Sequence, residues 1–334
     1  MVRIEITVHH GVVAAARCEV DGCLATLAGA EELVARIVGL TVLDAAAVSE
    51  ADLVTALPGA AARPDSAALA LDALHDALTH IISDGAVLGP TADGPPRAEG
   101  VLVGMSGGVD SGVAALLLQR QGYRAVGATL ELWREPGEAG ARSCCSPETV
   151  RRARRVAHQM GIPHLTVDAR QAFCQNVVQY FVQSYADGLT PNPCVKCNAR
   201  LRFAALREVG QRAGLTWVAT GHYARMTGQP PRLARGVDRH KDQSYVLAEV
   251  EPRVLERVLF PLGEMEKSQV RALAAGAGLE GHHTPESQEI CFVPDDDHRR
   301  FLRTRLGERP GAIVDTSGRR LGSHRGTYNY TVGQ

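Results

Sequence analysis

The sequence predicts an α/β protein whose main part is a doubly wound parallel sheet, preceded by a small α+β unit. Three observations carry this prediction. From Val101 onward, short apolar strands alternate with helical stretches, the pattern of βαβ units. The first of these strands runs into a glycine-rich loop and then a helix, at the sheet end where such folds bind ligands. Ahead of it lies GAVLGPTADGPPRAEG, residues 85–100, whose Gly, Pro and small residues bury little and read as a linker.

Residues 1–84 open with the alternation Arg3-Ile4-Glu5-Ile6-Thr7-Val8, turn at His10-Gly11, and continue into helical stretches over 31–38 and 67–82. After the linker come the strand VLVGM, a helix over 112–121, the strand AVGATLEL, the helix RRARRVAHQM and the strand HLTVD; LTWVATGHYA adds a further strand and loop. A chain of 334 residues holds two or three domains. No run of about eighteen apolar residues occurs, and MVRIEITVHH lacks the layout of a signal peptide, so the expectation is a cytoplasmic protein with no membrane partner. In that reducing setting the eight cysteines are catalytic, metal-binding or buried rather than a disulfide framework.

The net charge of -1 hides an asymmetry: residues 1–99 hold 5 Lys/Arg against 14 Asp/Glu, and residues 100–334 hold 31 against 23. A basic second part suits a polyanionic substrate. Only Lys196, Lys241 and Lys267 are lysines, so arginine richness is a habit of the whole chain and no nucleic-acid signal by itself.

The strongest motif is Gly104-Met105-Ser106-Gly107-Gly108-Val109-Asp110-Ser111 between strand and helix. Its paired glycines let backbone amides approach a phosphate, and the helix N-terminus adds favourable partial charge. Ser106 and Ser111 can donate hydrogen bonds, while Asp110 can hold Mg2+ or order the loop. The bland alternative is a capped strand-to-helix turn. Nucleotide chemistry is as far as this loop goes, since loops of this kind serve amidation, ligation and thiolation alike.

Cys194 and Cys197 lie in GLTPNPCVKCNARLRF, a turn-rich segment entering a helix with Arg200 and Arg202, a setting that favours thiolate. Cys291 follows much later in SQEICFVP. Cys174, in QAFCQNVV, reads as a small buried hydrophobe. Adjacent Cys144-Cys145 make a poor disulfide and a poor chelate. One Cys-x-x-Cys alone is a weak zinc signal.

Taken together, SGGVDS, TPNPCVKCN, ATGHYAR, KDQSYVLA, FPLG, SQEICFV and YTVGQ, in this order over residues 101–334, resemble the bacterial tRNA-specific 2-thiouridylases. The resemblance implies a pyrophosphatase-type ATP loop, with ATP and Mg2+ as cofactors, and thiolation of carbon 2 of the wobble uridine of tRNA. It implies Cys197 as nucleophile and Cys291 as persulfide carrier, which requires their Cα atoms to approach within about 7 Å. Gly104, Met105, Ser106, Gly107, Gly108, Val109, Asp110 and Ser111, with Leu130 and Gly221, match ATP-contacting positions. Asn192, Pro193 and Cys194 match positions beside the target base, and His222, Lys241, Asp242 and Gln243 match positions near the tRNA. An iron-sulfur cluster held by Cys194, Cys197 and Cys291 is the alternative use of the three thiols. The implied partners are tRNA and a cysteine desulfurase or sulfur-relay protein. On this reading residues 101–295 are the adenylation and thiolation domain, and 296–334 begin a small tRNA-binding domain. Family members continue into a carboxyl-terminal β-barrel, which this chain is expected to lack.

Residues 2–53 resemble the iron-sulfur cluster scaffold family, with Cys23 at one ligand position and Ser66 in place of the last. One thiolate cannot hold a cluster alone. The readings left open for residues 1–84 are docking, dimerisation, passing sulfur through Cys23, or a degenerate remnant. For the whole chain, the rivals to a thiouridylase are a non-catalytic sulfur or cluster carrier and an adenylating amidotransferase or ligase. The latter leaves TPNPCVKCN and SQEIC unexplained.

Overall fold

A computed structural model of the chain describes residues 1–57, 63–89, 99–133, 146–280, 290–293, 297–331 and 333. Cys144, Cys145, most of the expected linker and the first residues of SQEIC lie outside the described residues.

The N-terminal unit begins with an antiparallel hairpin, β1 (Val2–His9) and β2 (Val12–Val20). His10 and Gly11 make its turn at φ 50° and 78°, a conformation glycine adopts without penalty. Four helices follow: α1 (Leu24–Ile37), α2 (Val42–Ala45), α3 (Glu50–Ala56) and α4 (Pro64–Ser83). Thr41 caps α2, and Ser49 with Asp52 forms a capping box on α3, occupying amides that the helix itself leaves without partners.

The second unit contains β3 (Gly100–Gly104), α5 (Val109–Arg120), β4 (Arg124–Glu131), α6 (Pro147–Gln159) and β5 (His164–Asp168). Next, α7 (Arg170–Phe173) runs through a π-helical stretch into α8 (Gln179–Ala186), and α9 (Pro193–Cys197) through another into α10 (Phe203–Arg212). Then come β6 (Trp217–Thr220), the hairpin β7 (Ala224–Thr227) and β8 (Arg232–Arg235), α11 (Pro252–Leu255), β9 (Val258–Leu259) and α12 (Lys267–Gly276). Finally α13 (His298–Leu306) precedes the antiparallel pair β10 (Gly311–Val314) and β11 (Arg320–His324).

The central sheet is parallel throughout, in the order β5-β4-β3-β6-β9, as the alternation predicts. Val101, Leu102 and Val103 of β3 are fully buried, because helices cover both faces of such a sheet and its strands read as unbroken apolar runs. The chain steps from β3 to β4 and β5 on one side, then returns to β6 on the other. The crevice beyond β3 and β6 is therefore the topological switch point, where ligands bind in this architecture.

One boundary differs from the linker expectation. Leu88 is fully buried, and its N–H donates to the Arg212 carbonyl at 3.1 Å. The Arg212 guanidinium donates to the Ala86 carbonyl at 2.8 Å and 3.0 Å. Residues 85–89 are thus docked, because a single leucine among small residues found a pocket. Helix α4 packs on β5, and one apolar core joins Leu33, Leu71 and Leu74 to Leu130, Leu165 and Phe181.

Candidate active site

The glycine loop leaves β3 at the switch point. Ser111 Oγ donates to the Gly108 carbonyl at 3.0 Å and accepts from the Ser106 N–H at 3.1 Å, folding the loop back over the start of α5. Gly107 has φ 68° and lies against Thr149, whose carbonyl would be 2.6 Å from any added Cβ. No other residue fits there. Gly108 is the N-cap of α5 and offers no side-chain cap, so the first-turn amides face outward with their partial positive charge. Gly221, just past β6, approaches so closely that a Cβ would sit 2.9 Å from Asp110 C and Ser111 N. Met105 and Leu130 are buried, and Val109 is half-buried.

Asp110 serves the second of its two expected roles. Lys267 Nζ lies 2.7 Å from both carboxylate oxygens, and the Tyr223 hydroxyl donates to Oδ1 at 2.9 Å. Mg2+ is ordinarily held by one or two carboxylates with waters and phosphates completing its octahedron, and here the one carboxylate is already committed to an ammonium and a hydroxyl. The residues present do not fit a magnesium ion held by Asp110; the carboxylate orders the loop. Lys267, Tyr223 and Arg152, whose Nε–H donates to the Gly107 carbonyl at 2.6 Å, are loop partners that sequence reasoning missed. For Lys267 the rarity of lysine was an available signal.

The cysteines gather around α9. Asn192 caps it through a bond from the Cys194 N–H to Oδ1 at 3.0 Å, and Pro193 follows at the first helical position. Cys197 ends α9 where the π-helical stretch begins, and it is buried. Such π segments recur at functional sites. Asn198 donates to the Cys194 carbonyl at 3.0 Å and to the Val246 carbonyl at 3.3 Å, fixing the turn against residues 244–247. Burial pushes the Cys194 thiol up to about 11, the nearby Cys291 and Cys197 add to the rise, and Arg202 opposes it. The three cysteines therefore share one neighbourhood, although Cys291 lies far along the chain.

This corrects the expectation that a helix start and cations make a thiolate of Cys194: burial outweighs both. It also bears on the cluster. A three-thiolate site needs deprotonated sulfurs converging on one point. Among the described residues no group of three or more His, Cys, Asp or Glu side chains is arranged to hold a metal ion. The raised Cys194 thiol is the observation that runs against a cluster on Cys194, Cys197 and Cys291.

A series of neighbouring groups runs from the loop toward the thiols. His222 follows Gly221, its Nδ1 lies 2.8 Å from Thr220 Oγ1, and burial beside Arg202 holds its imidazole pKa down to about 3. Arg202 in turn neighbours Cys194. Asp242 and Gln243 turn inward: Asp242 accepts from the Gly236 and Ser244 amides at 3.0 Å and 3.2 Å, and Gln243 exchanges bonds with Tyr223 at 2.9 Å and 3.2 Å. Their geometry organises this loop and does not by itself direct them to tRNA. Lys241 is half-buried in the same loop, its N–H donating to Asp238 Oδ1 at 3.2 Å. Cys174 is half-buried in the first π-helical stretch.

In the N-terminal unit Cys23 is exposed at the N-cap of α1. Its Sγ lies 3.3 Å from Thr26 Oγ1, which lies 3.5 Å from Ser66 Oγ. Beside this one thiol stand two hydroxyls, which are not the soft ligands that an iron-sulfur cluster takes. The Thr26 hydroxyl and backbone N–H lower the Cys23 thiol to about 7.

The family described as tRNA methyl transferase HUP domain matches residues 99–295, the tRNA methyl transferase PRC-barrel domain 299–334, and the NifU-like N terminal domain 1–83. A Rubrobacter xylanophilus relative named bifunctional protein NifU/MnmA is 49% identical over 94% of this chain and 65% of its own length. The tRNA-specific 2-thiouridylase MnmA of Sorangium cellulosum is 48% identical over 72% of this chain and 64% of its own length. That of Carboxydothermus hydrogenoformans is 48% identical over 70% and 67%. The chain spans about two thirds of the length of these relatives. No described helix is long and apolar enough to cross a membrane. With a HUP domain of this kind behind a NifU-like N-terminal domain, the chain belongs to the tRNA-specific 2-thiouridylase family.

Proposed function

We propose that the chain replaces the oxygen at carbon 2 of a tRNA wobble uridine with sulfur, using ATP to activate the base. The observation that carries this is the closeness of the phosphate loop to Gly221, and the run of electrostatic neighbours from His222 through Arg202 to Cys194, Cys197 and Cys291. It joins a nucleotide-binding device to a cluster of thiols.

The uridine O2 attacks the α-phosphorus of ATP and pyrophosphate leaves, its charge met by the first-turn amides of α5. A persulfide on Cys291 then attacks C2, and AMP departs with the former O2. The Cys197 thiolate attacks Cys291 Sγ, forming a disulfide and leaving the outer sulfur on the base. An external reductant restores both thiols. A cysteine desulfurase or relay protein supplies the persulfide sulfur, and the reading sets the reaction in the cytoplasm with its tRNA. Asn192, Pro193 and Cys194 lie beside the target base. In this scheme His222, neutral at working pH, contributes shape and hydrogen bonding rather than charge.

The experiment is ATP-dependent formation of 2-thiouridine in unmodified tRNA, with release of pyrophosphate, compared with release on amino acids. Pyrophosphate release only with an amino acid would identify a ligase instead.

A further inference from the structure

Helix α6 touches the phosphate loop and the NifU-like domain at once, and we propose that this domain positions the loop through α6, with Asp72 of α4 as the point of attachment. The consequence for catalysis rests on the ATP reading above.

Thr149 and Arg152, one turn apart, meet the loop. The Thr149 backbone packs against Gly107 with no room for a methyl group, and Arg152 donates to the Gly107 carbonyl at 2.6 Å. Arg151 and Arg154 sit on an adjoining face and both grip Asp72, Arg151 Nε at 2.8 Å and Arg154 through its NH2. One turn further, His158 Nε2 lies 3.1 Å from the Ala46 carbonyl, which also accepts the His164 N–H at 3.2 Å. On a third side Arg155 is held by Glu280 at 2.7 Å and 2.8 Å.

The Asp72 clamp is well placed to set the position of α6. The Arg154 side chain is 7% exposed and Asp72 23% exposed, so removing the carboxylate leaves a guanidinium charge buried without its partner. That charge moves toward water, and α6 moves with it. Close-packed contacts transmit small displacements rather than absorb them. With backbone against backbone at Thr149 and Gly107, a shift of α6 reaches the amides of the loop. The Asp72 ion pairs and the Ala46 bonds are contributed by the N-terminal domain, and the Gly107 hydrogen bond and packing contact by the loop.

The test uses the full chain with Asp72→Asn, Arg152→Ala and the double variant. Hydrogen exchange of a peptide spanning residues 104–111 is measured without nucleotide, and ATP affinity by calorimetry. Asp72→Asn is expected to speed exchange in that peptide, leave the β1–β2 hairpin unchanged, and weaken ATP about three- to tenfold. The double variant is expected to bind ATP no more weakly than Arg152→Ala alone, because both act on one path. Arg151→Gln, which loosens the clamp from its exposed side, gives the same changes in smaller measure should Asp72→Asn fail to fold. Unchanged loop exchange, or additive losses in the double variant, overturns the proposal. If the unsubstituted chain binds no ATP, the functional reading fails while loop exchange still decides the coupling.

Discussion

Two cysteines stand at helix starts in the two halves of this molecule, and they differ in opposite directions. Cys23 caps α1 in the N-terminal unit, exposed, with its thiol lowered to about 7 by Thr26. Cys194 sits in the first turn of α9, with its thiol raised to about 11 by burial and by Cys291 and Cys197. A helix N-terminus favours a thiolate only where solvent or hydrogen bonds also support the charge. The exposed half thus keeps a reactive thiol within reach of other molecules. The inner half keeps the Cys194 thiol protonated and shielded.

The largest expected effect sharpens this contrast. With a cysteine desulfurase as donor throughout, Cys197→Ser and Cys291→Ser each reduce ATP-dependent tRNA thiolation to background, whereas Cys23→Ser retains most of it, measured as 2-thiouridine by mass spectrometry. Equal loss in all three would make the exposed thiol obligatory and break the division.

Next in size is Gly221→Ala. The new methyl group would strike the Asp110 and Ser111 backbone, and overpacking of this kind displaces neighbours at a cost of about 1–3 kcal/mol. ATP affinity should fall roughly tenfold by calorimetry. Gly276→Ala, whose Cβ meets nothing, should leave ATP affinity unchanged; a similar loss there would remove the role assigned to close approach.

The third effect tests the thiols directly. Iodoacetamide labelling of Cys23 should rise with a midpoint near pH 7, and that of Cys194 only toward pH 11. At pH 8 the lower thiolate fraction of Cys194 outweighs its greater intrinsic nucleophilicity by at least about tenfold, and burial adds to this. Coincident profiles would show that burial does not set the difference.

The smallest effect concerns the seam between the halves. His75, His158 and His164 have pKa values lowered first of all by burial, and among the described residues neither ring nitrogen of His75 has a hydrogen-bond partner. Below about pH 6.5 the unfolded chain protonates these residues while the folded chain resists. The unfolded state then binds more protons, so stability falls as pH drops below that point and levels off above it. Thermal scans from pH 7.5 to 5.5 should show this decline, shallower in His75→Leu. An unchanged slope in His75→Leu would remove His75 from the explanation.

Much of this was legible in residue order. HLTVD is β5 residue for residue, and VLVGM and AVGATLEL fall on β3 and β4 within one position, because strands buried on both faces leave uninterrupted apolar runs. The glycine loop was legible because Gly107 and Gly221 meet steric demands that no other residue meets. The start of α9 was misjudged as a turn-rich entry, although Asn192-Pro193 is a cap followed by a first-turn proline. What pattern could not disclose depends on distant partners. Lys267 reaches Asp110 across 157 residues, Asp72 meets Arg151 across 79, and the pKa of Cys194 depends on burial that only the folded chain defines. The inward use of Asp242 and Gln243 was hidden for the same reason.

The central claim is that one site joins ATP activation to cysteine sulfur transfer. Its most direct test is transfer of labelled sulfur from a cysteine desulfurase to unmodified tRNA, with and without ATP, by the chain and its Cys197→Ser and Cys291→Ser variants. Labelled 2-thiouridine is expected from the unsubstituted chain only when ATP is present, and from neither variant. Label reaching tRNA without ATP, or through either variant, would contradict it.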